Sequence, residues 1–178
     1  MNWHNEPAAF REENGSIFIT TRPKSDFWRI THYDFIRDDG QFYYQTVSGS
    51  FLAEVKVIGA YRDLYDQAGL MVRLDEHHWI KCGIELVEGV QQASVVVTRD
   101  YSDWSVIALP QNPPAIWLRL KREGDAVEVH YALDGQHYTM MRLAYFPVEA
   151  GVHVGLMCAS PQGEGFEARF EDFRITPG

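Results

Sequence analysis

The feature that most limits what this chain can fold into is its period. No long segment places apolar residues at the three-to-four spacing of an amphipathic helix. Short runs of alternating apolar and polar residues recur instead, each closed by turn residues. They fall at 16–20, 41–46, 51–58, 69–74, 78–86, 94–98, 104–109, 116–121, 126–133, 138–143, 152–157 and 166–175. About twelve strands exceed what one twisted sheet holds comfortably. The expected architecture is therefore all-β, a two-sheet antiparallel β-sandwich.

The punctuation supports this. Asp134-Gly135 between two alternating runs is a hairpin signal. Asp39-Gly40 and Glu123-Gly124-Asp125 read as similar turns. Pro110, Pro113 and Pro114 share one loop and cannot lie in central strands. The run 166–175 alternates cleanly, which ties the end of the chain into a sheet.

With 178 residues, the chain is sized for one domain, expected over 1–178, with a core that needs no staples. Aromatic residues at 13% exclude disorder as its main state. The net charge of −9 works against phosphate backbones and anionic membranes, so neither a nucleic-acid nor a membrane partner is expected. No apolar run is long enough for a transmembrane helix. Two cysteines, Cys82 and Cys158, are too few for a disulfide scaffold. Residues 1–6 lack the basic and apolar regions of a signal peptide. Both points lead to an expected cytoplasmic location with free, buried thiols.

Strand period two locates the chemistry. In 78–86, Ile80, Cys82, Ile84 and Leu86 face the core, and Trp79, Lys81, Gly83 and Glu85 face away. In 69–74, Leu70, Val72 and Leu74 go inward while Arg73 goes outward. Paired as a hairpin, the two runs place Arg73, Trp79, Lys81 and Glu85 on one surface. Trp117, Arg119 and Lys121 share a face of their own strand, as do Glu128 and His130. The sequence does not say which sheet those strands join. Indole, cations and carboxylates on one face suit polyols: a ring covers the C–H face of a sugar and charged groups bond its hydroxyls. The competing reading is a solvated face whose charges satisfy one another across strands. Lys81 and Glu85 lie about 13 Å apart along one strand, so each must find its partner on a neighbour.

Two loops lead into strands, Tyr65-Asp66-Gln67-Ala68-Gly69 and Ser102-Asp103-Trp104. Asp66, Ser102 and Asp103 are expected to cap turns, and Trp104 is a candidate either for ligand contact or for closing the core. The seven histidines form no His-x-x-x-His pair, and there is no Cys-x-x-Cys, nucleophile elbow, P-loop or dinucleotide turn. No metal, cofactor or catalytic residue is assigned. Glu85 and Glu128 would make a glycosidase pair only at the required separation.

At these residues the sequence resembles the DUF1349 family (regulation of enolase protein 1-like). The resemblance rests on Ser25-Asp26-Phe27-Trp28, on Tyr65-Asp66-Gln67-Ala68-Gly69-Leu70-Met71-Val72-Arg73 and on Trp79-Ile80-Lys81-Cys82-Gly83-Ile84-Glu85. Val97-Thr98, Ser102-Asp103-Trp104-Ser105, Arg122, Asp134-Gly135, Arg142 and Ser160-Pro161 extend it over most of the chain. Ala132 stands where many related sequences carry serine. The resemblance implies chiefly a fold, a jelly roll of the concanavalin A-like lectin/glucanase group, and little about function. Glucanases of that group carry an E-x-D-x-x-E run. Here Glu85 is followed by Leu86, Val87 and Glu88, which weighs against glycosidase activity.

Three functions follow as expectations. The first is a non-catalytic carbohydrate- or small-polyol-binding module. It would use Arg73, Trp79, Lys81, Glu85, Trp104, Arg119 and His130, with Trp79 or Trp104 as the stacking ring. The second is a protein-interaction domain regulating a metabolic enzyme. The third is a glycoside-processing enzyme. The sequence leaves the oligomeric state open.

Overall fold

The computed structural model describes residues 1–148 and 151–178. In chain order its strands begin with β1 (Asn2–His4), β2 (Ala9–Glu13), β3 (Ser16–Thr20), β4 (Phe27–Arg29) and β5 (Ile36–Asp38). Next come β6 (Gln41–Val47), β7 (Phe51–Gly59), β8 (Gln67–Arg73), β9 (His78–Val87), β10 (Val90–Arg99) and β11 (Tyr101–Leu109). The last five are β12 (Ile116–Glu123), β13 (Ala126–Ala132), β14 (Thr139–Tyr145), β15 (Val152–Ala159) and β16 (Glu167–Pro177). Each of the twelve expected runs overlies one of these strands, and β1, β2, β4 and β5 are additional.

Two seven-stranded antiparallel sheets stack face to face. The first has the order β1-β6-β15-β8-β9-β10-β11 and the second β14-β13-β12-β7-β16-β3-β2. This is the two-sheet sandwich of the concanavalin A-like, jelly-roll kind. Alternation decides what fills it. Leu70 and Val72 on β8, Ile80, Cys82 and Ile84 on β9, and Val95 and Val97 on β10 pack inward from the first sheet. Val55 and Val57 on β7, Leu118 and Leu120 on β12, and Val127 and Val129 on β13 meet them from the second. Each buried aliphatic side chain contributes about 1.5–3 kcal/mol. A one-residue slip of β9 would bring Lys81 and Glu85 into the sandwich in their place, so the register is strongly specified. Cys82 and Cys158 are free buried thiols. Burial pushes the Cys82 thiol up to about 12, which keeps it protonated and unreactive.

A third, two-stranded ribbon, β4 with β5, lies on the outer face of the first sheet. Phe27, fully buried, seats it there in a second apolar cluster with Phe42, Met71, Trp79, Val96 and Met157. Gly40 follows the ribbon because a β-carbon there would lie 2.3 Å from the Phe27 ring. Polar contacts fix its two ends. Arg73 donates Nη1 and Nη2 to the Asp38 carboxylate at 2.7 and 2.8 Å. The Arg29 backbone N–H donates to Ser102 Oγ at 2.9 Å. Burial pushes the Asp38 carboxyl upward, but the hydrogen bonds from His4 and Arg73 and their charges outweigh it and hold it below the usual aspartate value.

Candidate functional site

β9 carries the polar groups and its neighbours position them. Lys81 is buried, and its ammonium donates to Gln67 Oε1 at 2.6 Å, to the Phe27 carbonyl at 2.7 Å and to Asp26 Oδ1 at 3.4 Å. Its three donors are thereby all used. Gln67 stands at the start of β8, and Asp26 and Phe27 at the start of the ribbon. One cation therefore ties the ribbon to two strands of the first sheet.

Glu85 is buried too, and β10 completes it. Ser94 Oγ donates to Glu85 Oε2 at 3.0 Å, and the Trp104 indole N–H donates to Ser94 Oγ at 3.0 Å. The relay crosses from β9 through β10 to β11. It holds an indole that is 41% exposed in one orientation. Burial raises the Glu85 pKa above the usual glutamate value. The Lys81 charge, the Ser94 hydroxyl and the Trp104 indole oppose the rise, and Asp26 adds to it.

Between these groups lies an open cleft of about 330 Å³, counting its mouth, lined by Asp26, Trp28, Tyr33, Tyr65, Lys81, Glu85 and Trp104. Four aromatic rings wall it. Trp28 and Tyr33 meet edge to face at 5.7 Å, as do Tyr65 and Trp104 at 6.3 Å. The Tyr33 and Tyr65 hydroxyls share a hydrogen bond of 3.3 Å across the cleft. That bond, more than burial, raises the Tyr65 phenol to about 12. Tyr65 has a φ of 67°, a left-handed conformation uncommon for a bulky residue. The loop presenting Tyr33 repeats the device, with Ile30, His32 and Asp34 all at positive φ. Among the described residues, Asp26 Oδ2 accepts no protein hydrogen bond, and Glu85 is held by Ser94 at Oε2 with the Trp104 indole beside it. Each carboxylate therefore keeps acceptor capacity for a molecule in the cleft. No group of three or more His, Cys, Asp or Glu able to hold a metal occurs among the described residues.

The expected site residues separate. Lys81, Glu85 and Trp104 come together here. Trp79 faces outward from the core as its register requires, yet it is fully buried, because Phe27 of the ribbon covers it at 6.2 Å. It lies beneath the ribbon and cannot be a stacking surface. Arg73 shares that face but is committed to Asp38. Arg119 and His130 are cross-strand partners on β12 and β13 of the second sheet, so they point away from the cleft on the far side of the sandwich. The single surface joining all seven residues does not form. Asp66 caps a turn, accepting from the Arg62 and Asp63 N–H groups, and Ser102 Oγ serves Arg29 and Thr98.

Periodicity missed Asp26, Trp28, Tyr33 and Tyr65. Asp26, Trp28 and Tyr65 do lie in the motif string, and 25–28, 65–73, 79–85 and 102–105 all converge on this cleft. That convergence of motifs remote in sequence was the available signal.

Known proteins with related sequences or structures agree with the architecture. The chain is 38% identical over 174 residues to Regulation of enolase protein 1 of Saccharomyces cerevisiae, covering 98% of this chain and 88% of that protein. A functionally unknown protein from S. cerevisiae, solved by crystallography, superimposes with a TM-score of 0.95 at 37% identity over 99% of this chain and 96% of its own. The carbohydrate-binding module CBM66 from Bacillus subtilis shares the fold, with a TM-score of 0.64 at 11% identity over 97% of this chain and 94% of its own. Residues 3–178 match DUF1349, described as a protein of unknown function, and the chain belongs to that family.

Proposed function

We propose that the protein is a binding module for a neutral carbohydrate or small polyol, held in the cleft on the outer face of the first sheet. One observation carries the reading: two carboxylates with spare acceptor capacity, Asp26 and Glu85, sit among four aromatic rings. Hydroxyl groups donate to such oxygens in charge-assisted bonds, and the C–H face of a pyranose covers an indole. The sandwich shared with a carbohydrate-binding module supports this by analogy of fold.

Calorimetry and thermal shift against neutral mono- and oligosaccharides test it. A ligand raises the melting temperature of wild type, and Trp104→Ala weakens binding about tenfold or more, near 1.4 kcal/mol. A panel that gives neither heat nor a shift, or a Trp104→Ala variant that binds as well as wild type, rejects the reading.

A second reading is regulation of a metabolic enzyme through a protein contact. The name of the yeast relative favours it, as do the exposed aromatic residues Tyr33, Phe35 and Tyr101. Sedimentation of the protein mixed with purified enolase checks it. A faster-moving complex, lost on Tyr33→Ala, supports this reading, and independent sedimentation excludes it.

A further inference from the structure

The outer face of the second sheet holds another built arrangement, independent of the first cleft. Glu54 on β7 is flanked by Arg119 on β12 and Arg174 on β16, its Cα partners on either side. The Arg174 pairing depends on an irregularity in β16, where the register shifts between Glu171 and Arg174 and Asp172 has a φ of 54°. Bulges of this kind re-aim side chains. Here the shift brings a second guanidinium onto a carboxylate that already has one. Arg119 Nε donates to Glu54 Oε1 at 2.7 Å and Arg174 Nε to Oε2 at 2.8 Å.

Two guanidiniums share one buried carboxylate, and the geometry shows where their unspent donors are offered. Arg119 spends Nε on Glu54 and lies 3.6 Å from the centre of the Tyr138 ring. Its Nη1 and Nη2 donate to nothing among the described residues. Those two nitrogens form the fork that fits two coplanar acceptor oxygens. They open into a cleft of about 200 Å³ whose lining includes Trp117, Arg119, Tyr138, Arg174 and Lys56. The Asp134-Gly135 turn closes the end of the Trp117 indole. A β-carbon on Gly135 would lie 3.0 Å from that ring, and Gly135 has a φ of 73°.

We propose that this cleft is a second binding site, specific for a carboxylate-bearing sugar such as a uronic acid. Arg119 takes the carboxylate end-on and Trp117 borders the ring. Lys56 is paired with Glu171 at 2.8 Å, which leaves Arg119 and Arg174 balanced against Glu54 and Asp172, so the unspent Arg119 fork, and no net positive field, selects a single carboxylate. A dianionic phosphate meets more repulsion from the two carboxylates and offers a tetrahedral rather than planar acceptor.

Calorimetry of the full chain with glucuronate, glucose and inorganic phosphate tests the assignment. Glucuronate binds wild type, weakens as salt rises, and loses about tenfold or more in affinity on Arg119→Gln. Arg119→Lys, which keeps the charge without the fork, shows a comparable loss, and both variants melt near the wild-type temperature. Trp104→Ala, in the other cleft, leaves glucuronate binding unchanged, so failure here is distinguishable from failure of the first site. Absence of glucuronate binding at about 1 mM, binding indifferent to both Arg119 variants, or equal Arg119-dependent binding of glucose or phosphate overturns it.

Discussion

β9 and β12 start from nearly the same pattern. Each opens with tryptophan followed two residues later by a cation: Trp79 and Lys81 on one, Trp117 and Arg119 on the other. Each turns its aliphatic residues into the sandwich and its tryptophan and cation out. The outcomes diverge because the β4–β5 ribbon lies over β9 and, among the described residues, no such ribbon lies over β12. Trp79 is wholly buried, whereas Trp117 is half-buried. Lys81 is a buried clamp with three protein acceptors, whereas the Arg119 side chain is 39% exposed and keeps free donors. Alternation selects the face of a sheet, and the covering segment determines whether a polar row becomes internal scaffolding or accessible surface.

Substitution of the two tryptophans should break this symmetry most. Trp79→Ala leaves a cavity under the ribbon and is expected to cost about 3–5 kcal/mol. Trp117→Ala, half-solvated, should cost less than about 2 kcal/mol. Urea midpoints compared at constant slope measure both, and equal losses would mean that the ribbon does not seal Trp79. The cations come next. Lys81→Met strands Asp26 and Gln67 beneath the ribbon and should cost about 3 kcal/mol. Arg119→Met, discounted for solvent screening, should cost at most about 1 kcal/mol. The same denaturation series reports both.

Arg73→Lys sharpens the account of what holds the ribbon down. It keeps the charge beside Asp38 but loses the two-pronged geometry, for about 1 kcal/mol. Amide exchange should show the loss first in residues 27–38, ahead of the second sheet. Uniform loss through both sheets would show that the ribbon is not a separate unit.

The smallest effect is in pH, and its sign differs between two carboxylates on the first face. Glu85 has a raised folded-state value, so only between the ordinary glutamate value and the folded one does the native state hold a proton that the unfolded chain has released. Its ionisation lowers stability as pH rises from the ordinary glutamate value through the folded one. Asp38 has a depressed value. Its contribution is full above the ordinary aspartate value and is lost as pH falls through the folded one. Stability against pH should lose its downward component in Glu85→Gln and its acid-side upward component in Asp38→Asn. Parallel curves for wild type and Glu85→Gln would contradict the burial of Glu85.

Much of the sandwich was legible in the sequence because strand period is local. The inward set Ile80, Cys82 and Ile84 and the outward set Trp79, Lys81 and Glu85 follow from alternation alone. The separation of Lys81 from Glu85 along β9 correctly required partners on other elements, and they are Gln67, Phe27, Asp26 and Ser94. The ribbon was not legible. β4 and β5 are three residues each, too short to show a period, and their connection uses left-handed Ile30, His32 and Asp34 where glycine would have marked a turn. Without the ribbon, Trp79 reads as an exposed ring and Tyr33 does not enter the site. Sheet membership was equally hidden, since no local pattern in 116–121 or 126–133 says which side of the sandwich Arg119 and His130 will face.

The indole N–H signals of the five tryptophans give the most direct test of the binding assignment. In a titration with a neutral oligosaccharide followed by proton–nitrogen correlation spectra, Trp104 and Trp28 should move together and saturate. Trp117 and Trp3 should stay in place, and buried Trp79 should respond weakly at most. A saturating shift confined to Trp117, or no saturating shift at Trp104 with any neutral sugar, would contradict the assignment of the first-sheet cleft as the carbohydrate site.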